Sequence, residues 1–378
     1  MNKHVAHLAR LLGPLLALAA VWACFAVAVG PNFTAWTNQR LMLQHTSVVG
    51  VAAVGATLII ILGGIDLSVG SSIALGTMVI AKLMTLGFPG WLAALGGIVG
   101  AGLTGSFIGA LVTGEMSRAL AVVLSISLAI LAWPLASSAI IGHAAGPGRF
   151  ILVSLLLLVP LVLIAVSRFV PFRVRPVSPF IVTLGLWGAL RGLAKGIGGN
   201  QPIYTQSLDG LDRLMRTGES GLFSLAPPGV WIMLLLALLA AGMLRFTPFG
   251  RTILAIGSNE NAARICGLGV ERTKWRVYAI GVACAGLAAM LQFADLTIGD
   301  PTTAAGYELK VIAAVVIGGA SLSGGRGSIF GSLIGALLMT VVDNGCNKLH
   351  LDNWVQEIAT GAIIVAAVVV DQMRQRQP

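Results

Sequence analysis

The sequence predicts an all-α polytopic integral membrane protein, and three observations carry that expectation. Hydrophobic residues fill 57% of the 378 positions and charged residues only 10%, against about 25% charged in an ordinary soluble domain. Mean hydropathy is +0.92. Apolar runs recur along the whole chain near the roughly 20 residues needed to cross the hydrocarbon core. Backbone groups in lipid must pair internally, so such runs are helical or shielded by neighbouring helices. The same composition excludes a soluble enzyme, a disordered chain and a small disulfide scaffold.

The first run, 11 to 30, follows Lys3 and Arg10. It is too long for a signal-peptide core, and bulky Trp22 fits a lipoprotein cleavage box at Val21-Trp22-Ala23-Cys24 poorly, so it reads as an uncleaved helix. Further runs cover 46 to 64, 67 to 87, 91 to 113, 119 to 141, 150 to 170, 178 to 195, 229 to 245, 276 to 296, 309 to 325, 328 to 345 and 354 to 370. Several are short and glycine-broken, which predicts about 10–12 transmembrane helices, some broken or re-entrant. With the N-terminus inside, the densest basic cluster, Arg245 to Arg276, lands inside as well. Both termini then come out cytoplasmic.

The net charge of +10 belongs to these flanks, so no nucleic-acid partner is expected. Cys24, Cys266, Cys284 and Cys346 lie far apart without CxxC spacing, and His4, His7, His45, His143 and His350 show no ligand spacing, so neither a metal site nor a disulfide framework follows. No nucleophile–base constellation marks a catalytic residue.

The 48 glycines imply close helix packing or broken helices. One longer pattern, GGxxLSxG, occurs twice after a β-branched apolar run, at Gly63–Gly70 and Gly318–Gly325. It reads as an internal repeat or as two unrelated glycine-rich joints, parallel or inverted. Paired glycine-interrupted segments point to a transport pathway, because unwound backbone at membrane depth survives only where it is buried or lines a cavity. The second copy, Leu322-Ser323-Gly324-Gly325-Arg326, is close to the LSGGQ signature of cassette ATPases. A nucleotide-hydrolysing cassette also needs GxxxxGK[ST], and the chain has no such stretch; ATP work must come from another polypeptide.

Leu62-Gly63-Gly64-Ile65-Asp66-Leu67-Ser68-Val69-Gly70-Ser71 resembles the GGIDLSVGS signature of ribose- and xylose-type sugar permeases of ATP-binding cassette importers. Pro179 to Gly185 with Arg191-Gly192 and Gly199 to Ile203, then Gly250-Arg251 through Gly267 to Val270, then Gly306 to Leu309 through Gly327, are similar to the same family's later blocks in order. The resemblance runs from about Val48 to Asp371. It departs over 114 to 171, where two extra apolar spans are inserted. It implies a single type II-like permease domain over 1 to 378, a multi-pass protein of the bacterial inner membrane. Implied partners are an ATPase subunit, a periplasmic sugar-binding protein, a second permease copy and membrane lipid. No cofactor is implied, ATP being used by the partner.

Three devices are then expected. A cytoplasmic coupling loop, 246 to 275, holds a helix of about two turns with Ser258 as N-cap, Asn259 beside it, Glu260 in the first turn, Arg264, and Gly267 at the C-terminal positive-φ position; Ala262, Ala263, Ile265 and Cys266 give it a small apolar surface. The alternative is a loop helix packed only on its own chain. The pathway is expected at Asp66, Ser68, Ser71 and Ser72, with Ser321 and Ser323 from the second copy; Asp66 alternatively caps the following helix through amides near Ser68 and Val69. The outer polar loop, 196 to 228, is expected to meet a binding protein through Arg191, Lys195, Arg213 and Arg216, the last two sharing one helical face. The alternative there is a solvated mixed-charge loop.

Asp295, Asp300, Asp343 and Asn344 read as caps or water-facing groups, the tryptophans mostly as interface anchors, and Trp187 as open to sugar stacking. A branched-chain amino-acid or nucleoside permease would share the architecture. An ion-coupled secondary transporter would need intramembrane carboxylates, of which Asp66 alone qualifies.

Overall fold

The computed structural model describes residues 3–124, 158, 162–163, 165–167, 174–218 and 221–375. Among them the elements are α1 (Lys3–Val29), α2 (Pro31–Thr34), α3 (Trp36–Ile61), α4 (Val69–Thr85), α5 (Gly90–Thr113), α6 (Pro179–Ile197), β1 (Ile203–Tyr204), α7 (Leu222–Leu225), α8 (Pro228–Phe246), α9 (Pro248–Ser258), α10 (Glu260–Ile265), α11 (Val270–Leu296), β2 (Ile298–Gly299), α12 (Tyr307–Ile317), α13 (Ile329–Lys348) and α14 (Asn353–Gln375). Six of the described helices, α3, α5, α6, α8, α11 and α13, are long and apolar enough to cross a bilayer. The chain is an all-α polytopic membrane protein.

The centre of the bundle is α3, packed against α8, α11, α12 and α13, with α11 also against α4 and α5. Lipid offers no hydrophobic contrast between helices, so their association depends on close backbone approach. Small residues provide it: a Cβ on Gly55 of α3 would collide with the Gly281 carbonyl of α11, and one on Gly105 of α5 with the Tyr278 carbonyl. Buried polar groups then fix the register of α3 on α13. Asn38 and Asn344 exchange side-chain hydrogen bonds at 2.9 and 3.1 Å, and the Thr57 hydroxyl donates to Ser332 Oγ at 2.8 Å.

Most of the expected spans fall on one helix each, with α1 beginning at Lys3 rather than 11 and α11 at Val270 rather than 276, and two differ more deeply. Helix α3 starts at Trp36, ten residues before the run from 46, because Asn38 and Gln39 find acceptors in the Phe33 carbonyl and need no solvent. The run from 309 to 325 is no full span. Helix α12 has 11 residues, about 16 Å at 1.5 Å per residue, roughly half the hydrocarbon thickness.

The inserted stretch opens and closes at one point: Val174 N–H donates to the Gly114 carbonyl at 2.9 Å and Val177 N–H to that of Leu111 at 3.3 Å. The expected extra spans, 119 to 141 and 150 to 170, lie for most of their length outside the described residues.

At the end of the bundle remote from α9 and α10, β1 and β2 form a two-stranded antiparallel ribbon, Ile203 opposite Gly299 and Tyr204 opposite Ile298. It joins the 198–227 loop to the connection between α11 and α12.

Candidate functional site: paired glycine loops, a buried carboxylate and the turn between α8 and α11

Both GG pairs end a helix in the same way. After α3, Gly63 N–H donates to the Ile60 carbonyl and Gly64 N–H to that of Ile59; after α12, Gly319 N–H donates to Val316 and Ala320 N–H to Val315. These are Schellman closures, which require positive φ at one residue, and Gly63 at +87° and Gly319 at +89° supply it. The structural correspondence is therefore one residue out of step with the GGxxLSxG alignment, Gly63 matching Gly319 rather than Gly318. Beyond the caps the copies diverge. The first enters α4 at Val69, whereas the second folds back, Ser321 N–H donating to Arg326 O at 3.0 Å, before Ser328 caps α13 through Gly331 N–H at 3.1 Å.

The two loops touch each other and α9. Gly325 N–H donates to the Ile61 carbonyl at 2.8 Å, a Cβ on Gly257 of α9 would collide with that carbonyl, and one on Gly324 would meet Gly257 O and the Gly63 backbone.

The first loop climbs from there to the start of α4. Asp66 Oδ1 accepts from Ser68 N–H at 2.8 Å and from Ser68 Oγ at 2.6 Å, so the carboxylate ties the turn before the helix. Asp66 Oδ2 and Ser72 Oγ are buried and accept from no described donor. The Ser71 hydroxyl donates to the Trp187 carbonyl at 2.7 Å, and Trp187 Nε1 donates to Glu308 Oε1 at 3.1 Å. Trp187 lies midway along α6 and Glu308 in the first turn of α12. Arg191, one turn further along α6, donates to the carbonyls of Pro301 at 3.0 Å and Thr303 at 2.6 Å.

Helices α9 and α10 form the turn between α8 and α11. Thr247 caps α9, accepting from Gly250 N–H at 3.1 Å, and Asn259 caps α10, accepting from Ala262 N–H at 2.9 Å. Glu260 pairs with Lys274 at 2.7 Å and with Arg264 at 3.3 Å, and Arg264 also pairs with Glu271. The Ile265 side chain beyond these pairs is 88% exposed.

A family model described as branched-chain amino acid transport system / permease component matches residues 40–368. The chain belongs to this family. The ribose import permease protein RbsC of Escherichia coli (strain K12) is 35% identical to the permease over 347 residues, 92% of this chain and 89% of that protein. RbsC of Haemophilus influenzae is 31% identical over 91% of this chain and 87% of its own. The D-allose transport system permease protein AlsC of Escherichia coli (strain K12) is 28% identical over 96% and 91% respectively. No solved structure matches the chain. Membership makes it a multi-pass transport subunit and not an enzyme.

The permease differs from the sequence expectations at several residues. Ser258 is not the N-cap of the short helix: it is the last residue of α9 and lies against Gly325, while Asn259 caps. Ala263 is buried against the permease's own chain, leaving Ala262, Ile265 and Cys266 outward. Gly267 has the expected positive φ, +78°. Ser321 and Ser323 share a 2.8 Å hydrogen bond at the foot of α12, a helix length away from Ser71 and Ser72 at its head. Arg191 is half-buried on the 301–303 turn, whereas Lys195, Arg213 and Arg216 are exposed. Arg213 and Arg216 do not share a helical face, because the 3-10 turn Leu211–Leu214 ends before Arg216, which pairs back to Asp212 at 3.1 Å. Glu308 was legible only as part of the Gly306–Leu309 block; its tie to Trp187 spans 121 positions.

Proposed function

We propose that this chain is the membrane permease of an ATP-driven monosaccharide importer, forming the pathway while a separate ATPase supplies the energy. The wedge of Gly257 against the Ile61 carbonyl carries this reading. A partner that moves α9 and α10 moves the ends of both glycine loops with them, and the first loop runs directly to Asp66, Ser68, Ser71 and Ser72. The names of the relatives supply the solute class: a ribose import permease and a D-allose transport system permease.

On this reading α9 and α10 are the coupling segment on the cytoplasmic side of a bacterial inner membrane, with both termini on that side. Ile265 and Cys266 meet the ATPase, and Asn259, Glu260, Arg264 and Gly267 hold their shape. Lys195, Arg213 and Arg216 on the opposite side steer a sugar-binding protein through charge, which mainly sets orientation and encounter rate. A second permease copy is the remaining partner on this reading.

The test is reconstitution in proteoliposomes with the ATPase and binding protein. ATP-dependent uptake of D-ribose, D-allose or L-arabinose, with leucine not carried, is the expected result. Uptake driven by a proton gradient without any ATPase, or leucine in place of sugar, overturns it.

A further inference from the structure

We propose that Trp187 and Glu308 form a recognition site for a neutral, polyhydroxylated ring midway through the membrane, an assignment that rests on the monosaccharide-importer reading above. Glu308 is 9% exposed. Its Oε1 holds Trp187 Nε1 at 3.1 Å, while Oε2 is buried and accepts from no described donor. A buried carboxylate oxygen left without a donor carries a desolvation cost, which an incoming hydroxyl removes.

The surroundings hold the carboxylate without saturating it. A Cβ on Gly70 would collide with Glu308 Oε2, so that oxygen lies against the N-terminal turn of α4, where the first amides lack intrahelical partners and the helix dipole favours negative charge. Arg191 acts on Glu308 electrostatically, and its Nη1 donates to the Pro301 and Thr303 carbonyls rather than to the carboxylate. Ser72 Oγ and Asp66 Oδ2, on the same segment as Gly70, are likewise buried with no described partner.

Trp187 completes the site. The Nε1 bond to Glu308 fixes its ring beside the carboxylate. A cyclic polyol offers an apolar C–H face to such a ring and hydroxyl donors at its edge, and the unfilled groups here are mainly acceptors. An anion is disfavoured by the two carboxylates, Glu308 and Asp66.

The experiment uses the assembled importer in proteoliposomes, with D-ribose, D-allose and L-arabinose as probes and ATP hydrolysis followed in parallel. W187A and E308Q are expected to lower sugar carried per ATP hydrolysed at least about 10-fold while loaded binding protein still stimulates the ATPase. W187F, which keeps a ring face without the N–H, loses less than W187A. If E308Q fails to assemble, E308D decides: it keeps the charge and shortens its reach by one methylene, so a lowered ratio supports the site. Wild-type ratios in W187A and in the assembling Glu308 variant overturn it. Failure of the wild-type importer to carry any of the three sugars counts instead against the underlying reading.

Discussion

Gly325 N–H donates to the carbonyl of Ile61 at 2.8 Å, fastening the second glycine loop to the end of the central helix at the place where α9 arrives. Three elements far apart in sequence thus share one main-chain oxygen. No side chain intervenes, so displacement of α9 reaches the loops without slack from rotamer changes.

Gly257→Ala tests this junction. In an unencumbered helix Gly to Ala gains about 0.5–1 kcal/mol, but here the new methyl would run into the Ile61 carbonyl and lie near Gly325 N. Uptake by the reconstituted importer is expected to fall at least about 10-fold. Gly242→Ala on α8, where nothing lies within 4 Å, keeps wild-type uptake. Equal activity in the two variants refutes the junction.

Asp66 offers a second test, since its bonds go to the amide and hydroxyl of Ser68. Asn retains a carbonyl acceptor and Ala does not. Asp66→Asn is expected to keep the melting temperature within a few degrees, and Asp66→Ala to cost about 1 kcal/mol, as for a lost cap. Thermal unfolding in detergent measures both. If the stabilities hold but D66N loses transport, the charge itself is needed.

In the segment proposed to meet the ATPase, Asn259→Ala removes the cap on Ala262 N–H at a cost of about 0.5–2 kcal/mol. Glu260→Lys also sets a cation against Lys274 and Arg264, its present partners. Exposed pairs contribute only about 0–1 kcal/mol each, so the expected effect is on docking geometry more than on folding. ATPase stimulation by loaded binding protein should fall in both variants, further in E260K. Unchanged stimulation excludes this segment as the ATPase contact.

Asp209 predicts a pH dependence. The Ser207 hydroxyl, and after it Gly90 N–H at the start of α5, hold its carboxyl below the usual carboxylate range. A folded-state value below the unfolded value of about 3.9 makes this tether complete above that pH and progressively lost as pH falls through the folded value. Limited proteolysis of the 205–218 segment should stay constant from pH 7 to pH 5 and rise below about pH 4. Asp209→Ala should be cut readily throughout. A wild-type transition near neutrality contradicts the assignment.

Spans made of continuous apolar residues, such as α5 and α8, were legible to within a residue or two, because burial in lipid and in protein asks for the same composition. Hydropathy missed the first ten residues of α3, since the satisfaction of Asn38 by Asn344 is a tertiary fact. It also ran through the end of α12, where Gly318-Gly319 stops a helix while remaining compatible with an apolar average. The cap of α10 was misplaced by one position because Ser258 and Asn259 are both good capping types and only the arrival of α9 separates them. Trp187 was noticed singly and Ser71 only with Asp66, Ser68 and Ser72. The chain of bonds from Ser71 to the Trp187 carbonyl and from Trp187 Nε1 to Glu308 depends on three helices meeting, which no spacing encodes.

The short ribbon of Ile203-Tyr204 with Ile298-Gly299 has a mechanical consequence. It rivets the exposed 198–218 segment to the strap 300–306, which holds the Arg191 guanidinium and leads directly into Tyr307 and Glu308. A displacement of that segment therefore reaches the head of α12 first, and a displacement of α9 reaches the other end of the same half-length rod.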